Sequence, residues 1–189
     1  QAVIPHSTTK LKRVNNEKLK EGEKLLVISE QGLGDTLQYM RYIPYLRQQG
    51  LDVSFCAQTK LHSLIKASSI DSNPLTPEKA NLVSEGKWIP LLSLPRYLKV
   101  TPENPIISRP YISSTKELLK KWKDVLSNER RPIVGINWQG NPEMEKTYQG
   151  RSISLETFSI LSKNNKISML SLQKGFGSEQ FDHCSFKNQ

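Results

Sequence analysis

Cysteine is nearly absent from this 189-residue chain: Cys56 and Cys184 stand 128 residues apart, which is neither a disulfide framework nor a metal cluster. Histidine is as scarce. His6, His62 and His183 have no short ligand spacing to one another or to either cysteine, so no zinc site is expected. Nowhere does the chain reach the roughly 18–20 consecutive apolar residues that cross a bilayer, and residues 1–14 lack the apolar core of a signal peptide. With 10 Gly and 11 Pro it is no fibrous or low-complexity repeat. These absences exclude a membrane-spanning helix and a disulfide scaffold, and the expectation is a globular protein of a reducing cytoplasm.

Acidic residues are also outnumbered, 18 Asp plus Glu against 27 Lys plus Arg, for a net charge of +9. The excess is +5 over residues 1–110 and +4 over residues 111–189, so no single basic tail explains it. Such a balance favours an anionic partner (a nucleotide phosphate, a nucleic acid or an acidic surface), or else is a basic solvated surface. Nucleic acid is the least expected of these, because the chain has no zinc finger and no aromatic strand of the RNP kind. A hydrophobic content of 36% and this length allow one full domain or a domain and a half.

Residues 1–23 are polar and read as a leader or capping segment, with Thr8, Thr9, Lys10, Lys12, Arg13, Asn15 and Asn16 ahead of a charged run. The ordered fold is expected to begin at Lys24. Leu25, Leu26, Val27 and Ile28 form an unbroken apolar run, the pattern of a strand buried on both faces of a parallel sheet. A glycine turn follows, then Leu37, Met40, Ile43 and Leu46 at helical spacing up to Gly50. Residues 51–57 predict a second strand and residues 60–66 a second helix, a β-α-β-α opening. A short strand is expected from Trp88. Pro102, Pro105 and Pro110 rule out a central strand there, and that stretch reads as an inter-domain connection.

Leu118, Leu119, Trp122, Val125 and Leu126 predict a helix over 114–128 with one buried face and Ser114 as its N-cap. Ile133 to Trp138 then repeats the plan of a buried strand opening into a polar glycine loop. Ser154 reads as the N-cap of the next helix and residues 166–173 as the next strand. Beyond Phe176 only a loop or short turn is expected. The domain reading is a leader or capping segment, 1–23; a Rossmann-like domain, 24–110; a connecting helix and linker, 111–131; and the opening of a second Rossmann-like domain, 132–189.

Two sites stand out. In the first, Gln31, Gly32, Leu33, Gly34 and Asp35 follow the buried strand, where glycines permit a tight turn and a helix N-terminus offers N–H groups. A third glycine is missing, Leu37 standing in its place, and no Gly-Lys-Ser/Thr follows, so neither the dinucleotide fingerprint nor the P-loop is matched. Asp35 could take a proton from a hydroxyl nucleophile, or serve only as a first-turn acid for charge and capping. Arg41 is expected as its electrostatic or packing partner. In the second site, Asn137, Gln139, Gly140, Asn141 and Lys146 lead to Arg151, donors suited to a phosphate or diphosphate. Lys174, after the last strand, is a third basic residue; a solvated basic face is the alternative.

The string Glu30-Gln31-Gly32-Leu33-Gly34-Asp35-Thr36-Leu37-Gln38, with Arg41-Tyr42-Ile43-Pro44, resembles the glycosyltransferase-like domain at the C-terminus of many bacterial tetratricopeptide-repeat proteins, which is related to the lipopolysaccharide heptosyltransferases. Trp88 with Leu94-Pro95, Gly135-Ile136-Asn137-Trp138-Gln139-Gly140-Asn141, Arg151-Ser152-Ile153 and Ser171-Leu172-Gln173-Lys174 extend the resemblance over roughly residues 20–186. It implies an α/β fold of the GT-B architecture, two Rossmann-like halves, with the N-terminal half complete and the C-terminal half truncated. By that resemblance Asp35 matches the acid that activates the acceptor hydroxyl, with Gly32 and Gly34 in its turn. Asn137, Gln139, Gly140 and Asn141 match the donor-diphosphate loop, with Arg151 and, less closely, Lys174 as basic phosphate ligands. The implied reaction moves a sugar from a nucleotide-activated donor to an acceptor with inversion and no obligatory metal or other cofactor. The family's further donor-domain elements do not follow Gln189 and no 34-residue helical repeat precedes the first strand, so this stretch is expected to be weak or inactive alone, with upstream repeats belonging to a longer gene product. A noncatalytic interaction or nucleotide-binding module of the same shape is the competing expectation.

Overall fold

The computed structural model describes residues 5–15, 17–107, 109–146, 150–163 and 166–186. Residues 1–4 and Asn16 of the expected leader lie outside the described residues. The chain divides into two compact units, residues 1–119 and 120–189.

In the first unit the elements are β1 (Lys12–Arg13), β2 (Lys24–Ile28), α1 (Leu33–Tyr39), α2 (Tyr42–Gln48), β3 (Asp52–Cys56), α3 (His62–Ala67), α4 (Pro77–Ala80), β4 (Lys87–Pro90) and α5 (Leu94–Tyr97). The strands form one parallel sheet in the order β1-β4-β2-β3. β2 is central, and Leu25, Leu26, Val27 and Ile28 are all at most 1% exposed, as an unbroken apolar run requires. Leu25 and Val27 join Ile43, Leu46, Phe55, Ile65 and Leu91 in the main core. Leu26 and Ile28 face a smaller cluster with Cys56 and Ala80. Truncating Leu25, Leu26 or Ile28 to alanine would cost about 2–5 kcal/mol.

The fold begins before Lys24. β1 pairs with β4, Val14 and Leu19 are buried, and Ser7 Oγ donates to Asn81 Oδ1 and to the Pro77 carbonyl at 2.6 and 3.0 Å. The described part of the expected leader or capping segment therefore supplies core and sheet edge. Local chemistry places the turns. Thr76 caps α4 by accepting the Lys79 N–H, with Pro77 at the first helical position, where its missing donor costs nothing. Gly86 leads into β4 with φ +95°, and a Cβ there would stand 2.4 Å from the Lys24 carbonyl oxygen, so only glycine fits. Residues 101–107 form no strand, as their prolines dictate. Ile106, Ile107 and Tyr111 pack on the main core, so this stretch is a strap on the first unit and not merely a connection.

Helix α6 (Lys116–Val125) crosses the division between the units. Its N-cap is Thr115, whose Oγ1 accepts the Leu118 N–H at 3.2 Å, and not Ser114. None of its residues is buried: Leu118, Leu119, Trp122 and Val125 are 47%, 61%, 48% and 60% exposed. The periodicity predicts the helix, but its expected buried face is open.

The second unit contains β5 (Ile133–Ile136), α7 (Pro142–Glu145), α8 (Ser159–Ser162) and β6 (Ser168–Ser171). β5 and β6 pair in parallel, Ile133 opposite Ser168 and Ile136 opposite Ser171. Ser154 accepts the Glu156 N–H and caps a 3₁₀ turn over Leu155–Phe158 that runs into α8. Its core holds Ile136, Trp138, Leu155 and Phe186. Phe186 is 6% exposed, so the segment after Phe176 supplies core as well as a short 3₁₀ turn over Ser178–Asp182.

Candidate functional site

In the first unit the carboxyl end of β2 opens into the glycine turn. Gln31 holds φ +66°, a left-handed conformation that costs a non-glycine residue of order 1 kcal/mol or more. Gly32 is the N-cap of α1 and Asp35 its third residue. Asp35 Oδ2 accepts the Gly32 N–H at 3.0 Å. With no side-chain oxygen at the cap, this reach-back is the half of a capping box that a glycine N-cap still permits. Gly34 is the second residue of α1, with open space where a Cβ would stand.

Gln58, just past β3, staples the same turn. Its Oε1 accepts the Thr36 hydroxyl at 2.8 Å, and its Nε2 donates to the Gln31 and Gly32 carbonyls at 3.4 and 3.5 Å. Arg41 serves elsewhere: its guanidinium donates to the Gln38 carbonyl and the Tyr111 hydroxyl at 2.8 and 3.0 Å and lies 4.5 Å from the centroid of the Tyr111 ring. Tyr111 in turn donates to the Leu37 carbonyl at 2.7 Å. Arg41 thus ties the strap to α1.

Glu30 precedes this turn and is 5% exposed, with no hydrogen-bond partner for its Oε2 among the described residues. Burial pushes its carboxyl up to about 7, against the opposing pull of the Arg13 charge. A single glutamate at the end of an apolar run gives no sign of such burial in sequence.

In the second unit the loop after β5 lines a cavity of ≈ 460 Å³, walled by Asn137, Trp138, Gln139, Gly140, Asn141, Met144, Arg151 and Ile153. Of the sequence-predicted donor residues, Asn137, Gln139, Gly140, Asn141 and Arg151 therefore meet in one place, while Lys146 and Lys174 are exposed outside that wall. Several of them are held by their neighbours. Asn141 Oδ1 accepts the Glu143 N–H at 3.1 Å as the N-cap of α7, and the Gly140 N–H donates to Ser152 Oγ at 3.0 Å. Lys146 pairs with Glu143 at 2.8 Å.

Gln173, which stands in the Ser171–Lys174 motif with no role assigned to it there, organises the loop. Its Oε1 accepts the N–H groups of Trp138 and Gln139 at 3.1 and 3.0 Å, while Nε2 donates to the carbonyls of Gln139 and Phe176 at 3.0 and 2.6 Å. The Trp138 indole donates to the Gly177 carbonyl at 2.9 Å. The loop's backbone is thereby pinned from the end of β6, and a pinned loop presents its groups to a ligand with little ordering cost.

A larger cavity, ≈ 1490 Å³, lies in the first unit between residues 13–21, α2 and residues 93–99. It contains none of the sequence-predicted residues. Among the described residues no group of three or more His, Cys, Asp or Glu could hold a metal ion, and no helix is long and apolar enough to cross a membrane. No known family model, curated protein or solved structure matches the chain.

Proposed function

We propose that this chain is a glycosyltransferase-like protein of the GT-B type, whose second unit binds the diphosphate of a nucleotide-sugar donor and whose first unit presents Asp35 to the acceptor. The observation that carries this reading is the cavity in which Asn137, Gln139, Gly140, Asn141 and Arg151 converge after the carboxyl end of a parallel strand, the place where open α/β sheets take ligands. Arg151 supplies a planar fork for phosphate oxygens. In the reaction, the Asp35 carboxylate takes the acceptor's hydroxyl proton, and the oxygen attacks the anomeric carbon. The bond from that carbon to the donor diphosphate breaks with inversion, and the guanidinium takes up the charge left on the departing nucleoside diphosphate. Gly32 occupies Asp35 Oδ2, so Oδ1 is the oxygen to receive the proton.

The capping bond of Asp35 also favours the second reading, a noncatalytic nucleotide-binding module of the same shape. Calorimetry with a panel of nucleoside diphosphates and sugar nucleotides tests the shared step: binding is expected, and Arg151→Ala should weaken it about tenfold or more, the loss of a charge-assisted pair. No binding by any of the panel removes both readings. Binding without turnover toward any acceptor, in a chain carrying whatever further domains its gene encodes, leaves the module.

A further inference from the structure

Helix α6 has no buried residue, and its side chains are sorted. At about 100° per residue, Val125, Leu118, Trp122, Leu126 and Leu119 follow one another round a single arc of about 120°. Leu126 continues the helical turn, its N–H donating to the Trp122 carbonyl at 3.0 Å. Lys121 and Lys123 stand at the two borders of that arc, each about 40° outside it, and Glu117 and Asp124 lie on the far side between Lys116 and Lys121. The Lys121 ammonium is 5.9 Å from the centroid of the Trp122 ring, leaning along the border. Residues 116–131 carry six basic and three acidic side chains, a net +3.

We infer that α6 is a docking helix for an anionic bilayer surface, lying in the plane of the headgroups with the Leu118, Leu119, Trp122 and Val125 side turned down. Ten residues span about 15 Å, half a hydrocarbon core, so the helix lies on a membrane and does not cross it. An interfacial helix needs an apolar stripe with an amphipathic aromatic, cations beside the stripe whose stems run along it while their ammonium groups reach lipid phosphates, and any acids held away from the surface. The helix has each of these. A second copy of the same face is the weaker occupant. Both borders carry lysine, so any two-fold pairing sets lysine against lysine along the seam, like charges that destabilise the contact. Docking is independent of sugar transfer, since it uses no residue of the glycine turn or the donor cavity.

The test uses the full chain with vesicles of phosphatidylcholine alone and of phosphatidylcholine containing about one third phosphatidylglycerol. Co-sedimentation is expected with the anionic vesicles at low salt and not with the neutral ones, with a blue shift of tryptophan emission that Trp122→Phe abolishes. Lys121→Glu with Lys123→Glu should weaken binding at least about tenfold, since each basic residue near an anionic surface contributes about 1 kcal/mol. Leu119→Ser with Trp122→Ser should weaken it as much while leaving every charge in place. All four positions are exposed, so far-ultraviolet circular dichroism and the thermal midpoint should stay at wild-type values. A wild-type chain that remains in the supernatant with anionic vesicles overturns the proposal, as does binding indifferent to both variants. So does a concentration-dependent dimer, or a complex with an acidic protein, that Trp122→Ser dissolves in a chain showing no affinity for lipid.

Discussion

Asp35 Oδ2 accepts the backbone N–H of Gly32 at 3.0 Å, so the carboxylate assigned to the acceptor also closes the first turn of α1. The two roles separate by substitution. Asp35→Ala loses the bond and should lower stability by about 1 kcal/mol. Asp35→Asn keeps an acceptor oxygen and should stay within about 0.5 kcal/mol of wild type, yet lose transfer because an amide cannot take the proton. Chemical denaturation reads the first effect and turnover the second. An Asn variant as active as wild type removes Asp35 as the base.

Glu30 makes stability depend on pH. Its folded carboxyl titrates at about 7, raised by burial from the ordinary 4.5. Between those values the folded chain keeps a proton that the unfolded chain has released. Stability from the neutral form is therefore fully present below about 4.5, falls as pH rises, and is lost above about 7. Discounted for solvent screening, the fall is about 1–2 kcal/mol. Glu30→Gln should flatten the midpoint between about pH 5 and pH 8 relative to wild type, and equal slopes in the two chains would sink this account.

The two thiols should differ sharply. Cys56 is fully buried, and burial, with a smaller push from the Glu78 charge, raises its thiol to about 12, so almost no thiolate exists at neutral pH. Cys184 is half-buried, its Sγ 3.5 Å from the Phe181 carbonyl. An aromatic disulfide reagent should label Cys184 in the native chain and Cys56 only after unfolding. Equal rates would show that the Leu26, Ile28 and Cys56 cluster opens readily.

Gln173 holds the loop after β5 through bonds to Trp138, Gln139 and Phe176. Gln173→Ala leaves two N–H groups without their acceptor, a cost of about 1–3 kcal/mol. Nucleoside diphosphate affinity should fall although residue 173 does not line the cavity. Unchanged affinity, measured by calorimetry below the variant's unfolding temperature, would show that the loop holds its shape unaided.

Legibility in the sequence follows the kind of interaction. The Leu25 to Ile28 run reads directly as a doubly covered strand, because burial on both faces leaves no polar position. β1 is invisible in the same terms: Lys12 and Arg13 are both exposed, and two residues have no period. For α6 the spacing of Leu118, Trp122 and Val125 records amphipathy truthfully, but spacing says nothing of what the apolar side meets. That Asn137 to Asn141 gather at one cavity is legible because they are neighbours in sequence. The roles of Gln173 and Gln58 are not, since each acts across more than twenty residues through a hydrogen bond that no composition or motif encodes.

The short β1 has a consequence for keeping the protein dispersed. A parallel sheet of this size ends in two rows of backbone groups open to pairing with another chain. On one side β1 covers the start of β4 with Lys12 and Arg13, and Pro90 at the end of β4 has no N–H to offer. On the other, Leu75 exchanges backbone hydrogen bonds with Phe55 and Ala57 at 2.7 and 3.2 Å, closing much of β3. Both margins of the sheet are thus finished with charge, proline or a single bridging residue, and a chain trimmed to Lys24 would bare Lys87 and Trp88 as a template for self-association.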